Sequence, residues 1–174
     1  MHDPLAEFLG AAEGGHLEYT YADAVKLTGH SCPTVAGAYA ATSEALAALY
    51  PAELPERGAI RVELRERLED GVAGVVASVA GLITGAAGEG GFKGLAGRFA
   101  RCGLLQFGAP ITADLRFTRL DSGASVDVNL QRAPAMSPEL MAGLRRALSP
   151  EASPAEREGF GHAWQARVAE MLAP

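Results

Sequence analysis

Asp114-Leu115-Arg116-Phe117-Thr118-Arg119-Leu120-Asp121-Ser122-Gly123-Ala124-Ser125-Val126-Asp127-Val128 holds the pattern that decides the fold class. Leu115 and Phe117 alternate with polar neighbours, and Val126 and Val128 do the same beyond Gly123. A period of two with one apolar face is the signature of a strand packed on one side and wet on the other. Asp121-Ser122-Gly123 supplies a turn, so the two strands form an antiparallel hairpin over 114–120 and 125–131.

Upstream, Leu104–Phe107 reads as a short strand, and Ala59–Glu66 alternates Ile60, Val62 and Leu64 against Arg61, Glu63 and Arg65. Between these two lies Val72–Thr84, a run of small and apolar residues that predicts a helix in close contact with a neighbouring backbone, or with a second copy of the chain. The apolar run to Ala87 falls short of the ~20 residues a membrane span needs. Downstream, Ser137-Pro138-Glu139 starts a helix to about Leu148. Ser153-Pro154-Ala155-Glu156 is a capping box that opens a last helix to about Leu172. Trp164, Val168 and Leu172 share one stripe of it, and Gly159 and Gly161 weaken its middle.

In the N-terminal part, Pro4–Glu13 predicts a helix closed by Gly14-Gly15, and Thr20 or Tyr21 opens a second that ends at Gly29-His30. Pro33–Tyr50 is Ala-rich and strongly helical, with Val35, Tyr39, Leu46 and Leu49 facing inward. Helices, a strand, a helix, three strands and two helices make an α+β chain with a mixed sheet. One domain over 1–174 is expected, with a core over about 16–132 and a helical extension over about 133–174.

Composition narrows the function classes. The 174 residues are 48% hydrophobic, enough for a packed core. A net charge of -6 and the lack of a basic run argue against a nucleic-acid binder. Two cysteines, Cys32 and Cys102, make no disulfide framework. The first residues carry no secretory signal pattern, so the expectation is a cytoplasmic protein with reduced thiols and no membrane association.

The densest chemistry sits in Gly29-His30-Ser31-Cys32-Pro33 with Gly37 beyond it. Imidazole and thiolate are the usual soft ligands of zinc and its neighbours. Pro33 fits a first helical turn, which puts Cys32 at the positive end of a helix dipole, where the thiolate is favoured. His16, after a glycine pair, is the candidate third ligand, and Asp70, Cys102 and His162 are lesser ones. The glycine-rich stretch 85–97 is neither a P-loop nor a Rossmann turn, because Lys93 stands between Phe92 and Gly94 and no Gly-Lys-Ser/Thr occurs. It reads as a flexible or tightly turning loop beside the site.

Gly29-His30-Ser31-Cys32-Pro33 with Gly37 resembles the Gly-His-x-Cys-Pro…Gly signature of the FmdE-like family, an accessory component of formylmethanofuran dehydrogenase and its bacterial relatives. Gly81-Leu82-Ile83-Thr84-Gly85 followed by Gly91-Phe92-Lys93-Gly94 resembles that family's Thr-Gly-x-x-x-Gly-Lys-Gly region. The resemblance covers about residues 20–130. It implies the FwdE-like fold, a helix–strand–helix–three-strand core. It raises the reading of a metal, zinc or another divalent transition ion, on His30 and Cys32; His16, upstream of the resemblance, is the third ligand by its position before the helix that leads into His30, and Thr84 and Lys93 are the candidate small-molecule contacts. Relatives often carry a Cys and an Asp where this chain has Val75-Val76-Ala77-Ser78, so the formylmethanofuran chemistry does not carry over.

Three functions follow. The first is a metal-binding protein with an open coordination position. The second is a metal-free thiol enzyme with Cys32 as nucleophile, His30 or His16 as base and Lys93 on an anionic substrate. The third is a non-catalytic accessory protein that forms a homodimer.

Overall fold

A computed structural model describes residues 1–131 and 133–172. Its centre is a four-stranded mixed sheet in the order β2-β1-β3-β4, built from β1 (Ile60–Leu64), β2 (Leu105–Gln106), β3 (Leu115–Arg119) and β4 (Ser125–Val128). The predicted hairpin is present: β3 and β4 pair antiparallel, with Phe117 opposite Val126 and Arg116 opposite Asp127. β1 pairs antiparallel with β3 and parallel with β2. A parallel pair needs a crossover between its strands, and α4 (Ala73–Thr84) lies in that connection.

Alternation along the strands gives the sheet one dry face. Ile60, Val62, Leu64, Leu115, Phe117 and Val128 are buried. The other face is polar and carries the bidentate pair Arg116–Asp127, at 2.6 and 2.8 Å. α3 (Pro33–Leu49) and α4 cover the dry face and pack on each other. Their contact is close because it is made of small side chains: Ala38, Ala41 and Ala45 from α3, Ala73, Ala77 and Ala80 from α4. Gly81 has a backbone reason of its own, since a Cβ there would stand 2.8 Å from the Ala86 carbonyl oxygen.

α2 (Tyr21–Thr28) begins with the Thr20/Asp23 capping box and packs beside α3 and α4. The backbone N–H of Thr20 is the chief cause that draws the Asp23 carboxyl down to about 2; Lys26 and the Thr20 hydroxyl add to it. The two C-terminal helices, α5 (Pro138–Ala147) and α6 (Pro154–Leu172), form a hairpin, and α6 lies on α3. Val168 and Met171 are buried there against Ala36, with Trp164 and Leu172 beside them. Gly37 permits this approach: a Cβ would meet the Gln131 carbonyl at 3.1 Å and the Met171 methyl at 3.6 Å. The fold is α+β with a mixed sheet, and the order α3-β1-α4-β2-β3-β4 is the helix–strand–helix–three-strand sequence expected.

The ends of α1 and β4 differ from expectation, while α6 has the extent expected. The first helix, α1, covers only Pro4–Phe8; Gly10, at φ +67°, turns the chain out, and a separate 3-10 turn follows at Glu13–Gly15. β4 stops at Val128 because side chains take over the ladder: Asn129 accepts from the Asp114 N–H at 3.1 Å and Asp114 accepts from the Leu130 N–H at 3.0 Å. α6 runs unbroken through Gly159 and Gly161. Among the described residues no helix is long and apolar enough to cross a membrane.

Candidate functional site

The loop between α2 and α3 is fixed by its own sequence at both ends. Gly29 closes α2 in the left-handed conformation at φ +74°, its N–H on the Val25 carbonyl. Cys32 is the N-cap of α3, extended at φ -150° and ψ 167°, and its carbonyl accepts the Ala36 N–H at 3.0 Å. Pro33 occupies the first helical position, as predicted.

His30 is exposed, and its Nδ1 lies 2.9 Å from the Thr28 carbonyl. A carbonyl only accepts, so Nδ1 carries a proton, and in the neutral ring Nε2 is the nitrogen with the lone pair. That is the arrangement in which a histidine binds a metal through Nε2, with its orientation set by the second nitrogen. Cys32 is half-buried, against the edge of the main core, and unoxidised.

Ser31, between them, is clamped from two sides. Its hydroxyl donates to Gln165 Oε1 at 2.8 Å and lies 2.8 Å from the Tyr21 hydroxyl; its carbonyl accepts the Trp164 indole N–H at 2.9 Å. The C-terminal helix therefore holds the His-Ser-Cys loop in place from more than a hundred residues away. Sequence reading put Trp164 on an apolar stripe and missed this indole hydrogen bond. The signal was there in part: a lone tryptophan has an N–H to satisfy when it packs.

One residue past Cys32 a mostly apolar cavity of about 380 Å³ begins. Pro33, Thr34 and Gly37 of α3 form one wall, Val72, Ala73 and Val76 at the start of α4 another, and Leu64, Leu115 and Leu130 the sheet end. Glu66 and Asp114 are its two carboxylates. Asp114 is engaged by Arg65 and the Leu130 N–H, which leaves Glu66 as the exposed one.

The other predicted site residues lie elsewhere. His16 is exposed at the N-terminal end, its ring edge-on to His2 at 6.5 Å between centroids, in a pocket with Tyr50, Glu53 and Arg119. Thr84 is fully buried at the end of α4; its hydroxyl donates to the Ala80 carbonyl at 2.7 Å and accepts the Ala86 N–H at 3.2 Å. Lys93 is exposed in the glycine-rich loop. Asp70 receives the Arg67 N–H at 3.1 Å, Cys102 is half-buried, and His162 is exposed on α6. Among the described residues, no three His, Cys, Asp or Glu side chains converge on one point where a metal ion would fit. His30 and Cys32 share one loop, and two donors are fewer than the three or four ligands a zinc site requires.

A buried network under the N-terminus was not anticipated. Asp3, 3% exposed, accepts the N–H groups of Leu5 and Ala6, and receives Arg101 at 2.7 Å and Arg57 at 2.9 Å. Burial pushes its carboxyl up, but the hydrogen bonds from Arg57 and Ala6 and the charges of Arg101 and Arg57 outweigh this and hold it below the usual carboxylate range. Asp3 before Pro4 is a legible N-cap signal; a partner 98 residues away in sequence is not.

Set against known proteins, the chain matches no family model, no curated protein and no solved structure.

Proposed function

We propose that the protein binds a divalent transition metal, zinc first among them, through His30 Nε2 and Cys32 Sγ, and that two copies of the chain complete the site. The observation that carries this reading is the His30–Thr28 hydrogen bond, which leaves Nε2 as the free donor atom on an exposed loop next to a thiol. Two ligands per chain are half of a tetrahedral set, and a two-fold axis turns them into Cys2His2. A homodimer is part of the proposal. So is membership in the FmdE-like family, on the Gly29–Pro33 and Thr84–Gly94 resemblance. The cavity beside Pro33 would take the small molecule, its apolar walls meeting the ligand body and Glu66 its polar end.

Elemental analysis after zinc loading and removal of excess, beside the molar mass in solution, tests it. The expected result is half an equivalent of zinc per chain and a dimer. A His30→Ala/Cys32→Ala variant should lose both the zinc and the dimer. Zinc retained by that variant, or a full equivalent on a monomer, contradicts the shared site. No uptake at all contradicts the metal reading and favours Cys32 as a bare thiol.

A further inference from the structure

A second pocket, of about 540 Å³, opens where the N-terminus meets the glycine-rich loop. Three of its lining residues are arginines, Arg57, Arg98 and Arg101, with His2 beside them; Glu56 is the one carboxylate on its wall. The arginines come from two separate stretches, so the fold, not a local run, gathers them. Asp3, behind the wall, pairs with Arg57 and Arg101 but not with Arg98.

Two of the three guanidinium groups keep unused capacity. Arg101 is 6% exposed, and its Nη1 is buried with no hydrogen-bond partner. It lies over Gly58, itself on the pocket wall, and over Gly85; a side chain at either glycine would collide with it. Arg98 is exposed, makes no ion pair among the described residues, and is laid over the Phe99 ring at 4.7 Å from its centroid. The loop that presents Arg98 is strained: Ala96 at φ +47° and Phe99 at φ +63° hold left-handed conformations that non-glycine residues rarely adopt. Strain of this kind persists where the surroundings impose it, and it clusters at ligand sites.

We infer that this pocket binds a small molecule through an oxyanion, a carboxylate or a phosphate, held by Arg98 at the mouth and by Arg101 at the floor. Arginine is suited to the task because its planar fork meets two oxygens at once. The site is independent of the His30–Cys32 reading.

Titration calorimetry at fixed ionic strength, with inorganic phosphate and with benzoate, tests it. Saturable binding of at least one is expected, and which of the two binds identifies the anion. Arg98→Gln should weaken it about tenfold or more, which is about 1.4 kcal/mol. Arg98→Lys should keep part of it, and Arg116→Gln, on the far polar face, should leave it unchanged. Binding by neither anion, equal binding by Arg98→Gln, or an equal loss in Arg116→Gln would overturn the inference. Arg98 is exposed and unpaired among the described residues, so its variants test binding without a buried ion pair being broken.

Discussion

Two loops of this molecule look alike in sequence, both glycine-bearing and both ending in a cysteine region, yet they are held by opposite physics. The His30–Cys32 loop is fastened by neutral hydrogen bonds that Tyr21, Trp164 and Gln165 make with the backbone and hydroxyl of one residue, Ser31. The glycine-rich loop is fastened by charge: Arg101 reaches under it to Asp3, and Gly58 and Gly85 leave the room that lets the guanidinium pass. In the first case the clamp takes the intervening serine and leaves the flanking imidazole free to act. In the second, Arg57 and Arg101 are tied into the fold through Asp3, and what remains for chemistry is Arg98 and the unpartnered Nη1 of Arg101.

The comparison is broken most sharply at Asp3. Asp3→Asn leaves the buried Arg101 and the half-buried Arg57 without their counter-charge, and denaturant unfolding should report a loss of about 3–5 kcal/mol at neutral pH. A loss below about 1 kcal/mol would mean the glycine-rich loop is not held by charge. The pH dependence carries a sign. The Asp3 carboxyl titrates below its ordinary value when folded, so its stabilisation is fully present above the unfolded value of about 4 and disappears as pH falls through the lower folded one. The gap between wild type and Asp3→Asn should therefore close in acid.

Smaller effects are expected at the other loop. Trp164→Phe keeps an aromatic ring and removes the N–H, and should cost about 1 kcal/mol. Ser31→Ala removes the hydroxyl shared by Tyr21 and Gln165, with a similar loss of about 1 kcal/mol, and amide exchange at Ser31 and Cys32 should quicken. If either change proved as damaging as Asp3→Asn, the contrast between the loops would fail. Arg116→Gln breaks an exposed cross-strand pair and should leave the unfolding midpoint where it was; a clear shift would show that the polar face of the sheet is covered by something.

What was legible in the sequence follows from the range of the interactions concerned. The hairpin, the Ser153/Glu156 capping box, the Pro33 start of α3 and the α+β class all rest on neighbours a few residues apart, and all are present. The element ends that differed were decided by competition: Gly10 outweighed the apolar pattern of α1, and Asn129 replaced backbone pairing at the end of β4. At the site, the local features of His30 and Cys32 were readable. His16 was placed with them by proximity in sequence, whereas the fold sets it beside His2. The serine clamp and the Asp3–Arg101 pair join residues about a hundred or more apart, 134 for Ser31 and Gln165, and no pattern in the chain announces them.

The central claim is that His30 and Cys32 are a half-site, and X-ray absorption at the zinc edge on zinc-loaded protein tests it most directly. A shared site predicts a shell of two sulfurs at about 2.3 Å and two nitrogens at about 2.0–2.1 Å. A shell of nitrogen and oxygen alone, or one unchanged in the Cys32→Ala variant, would contradict it.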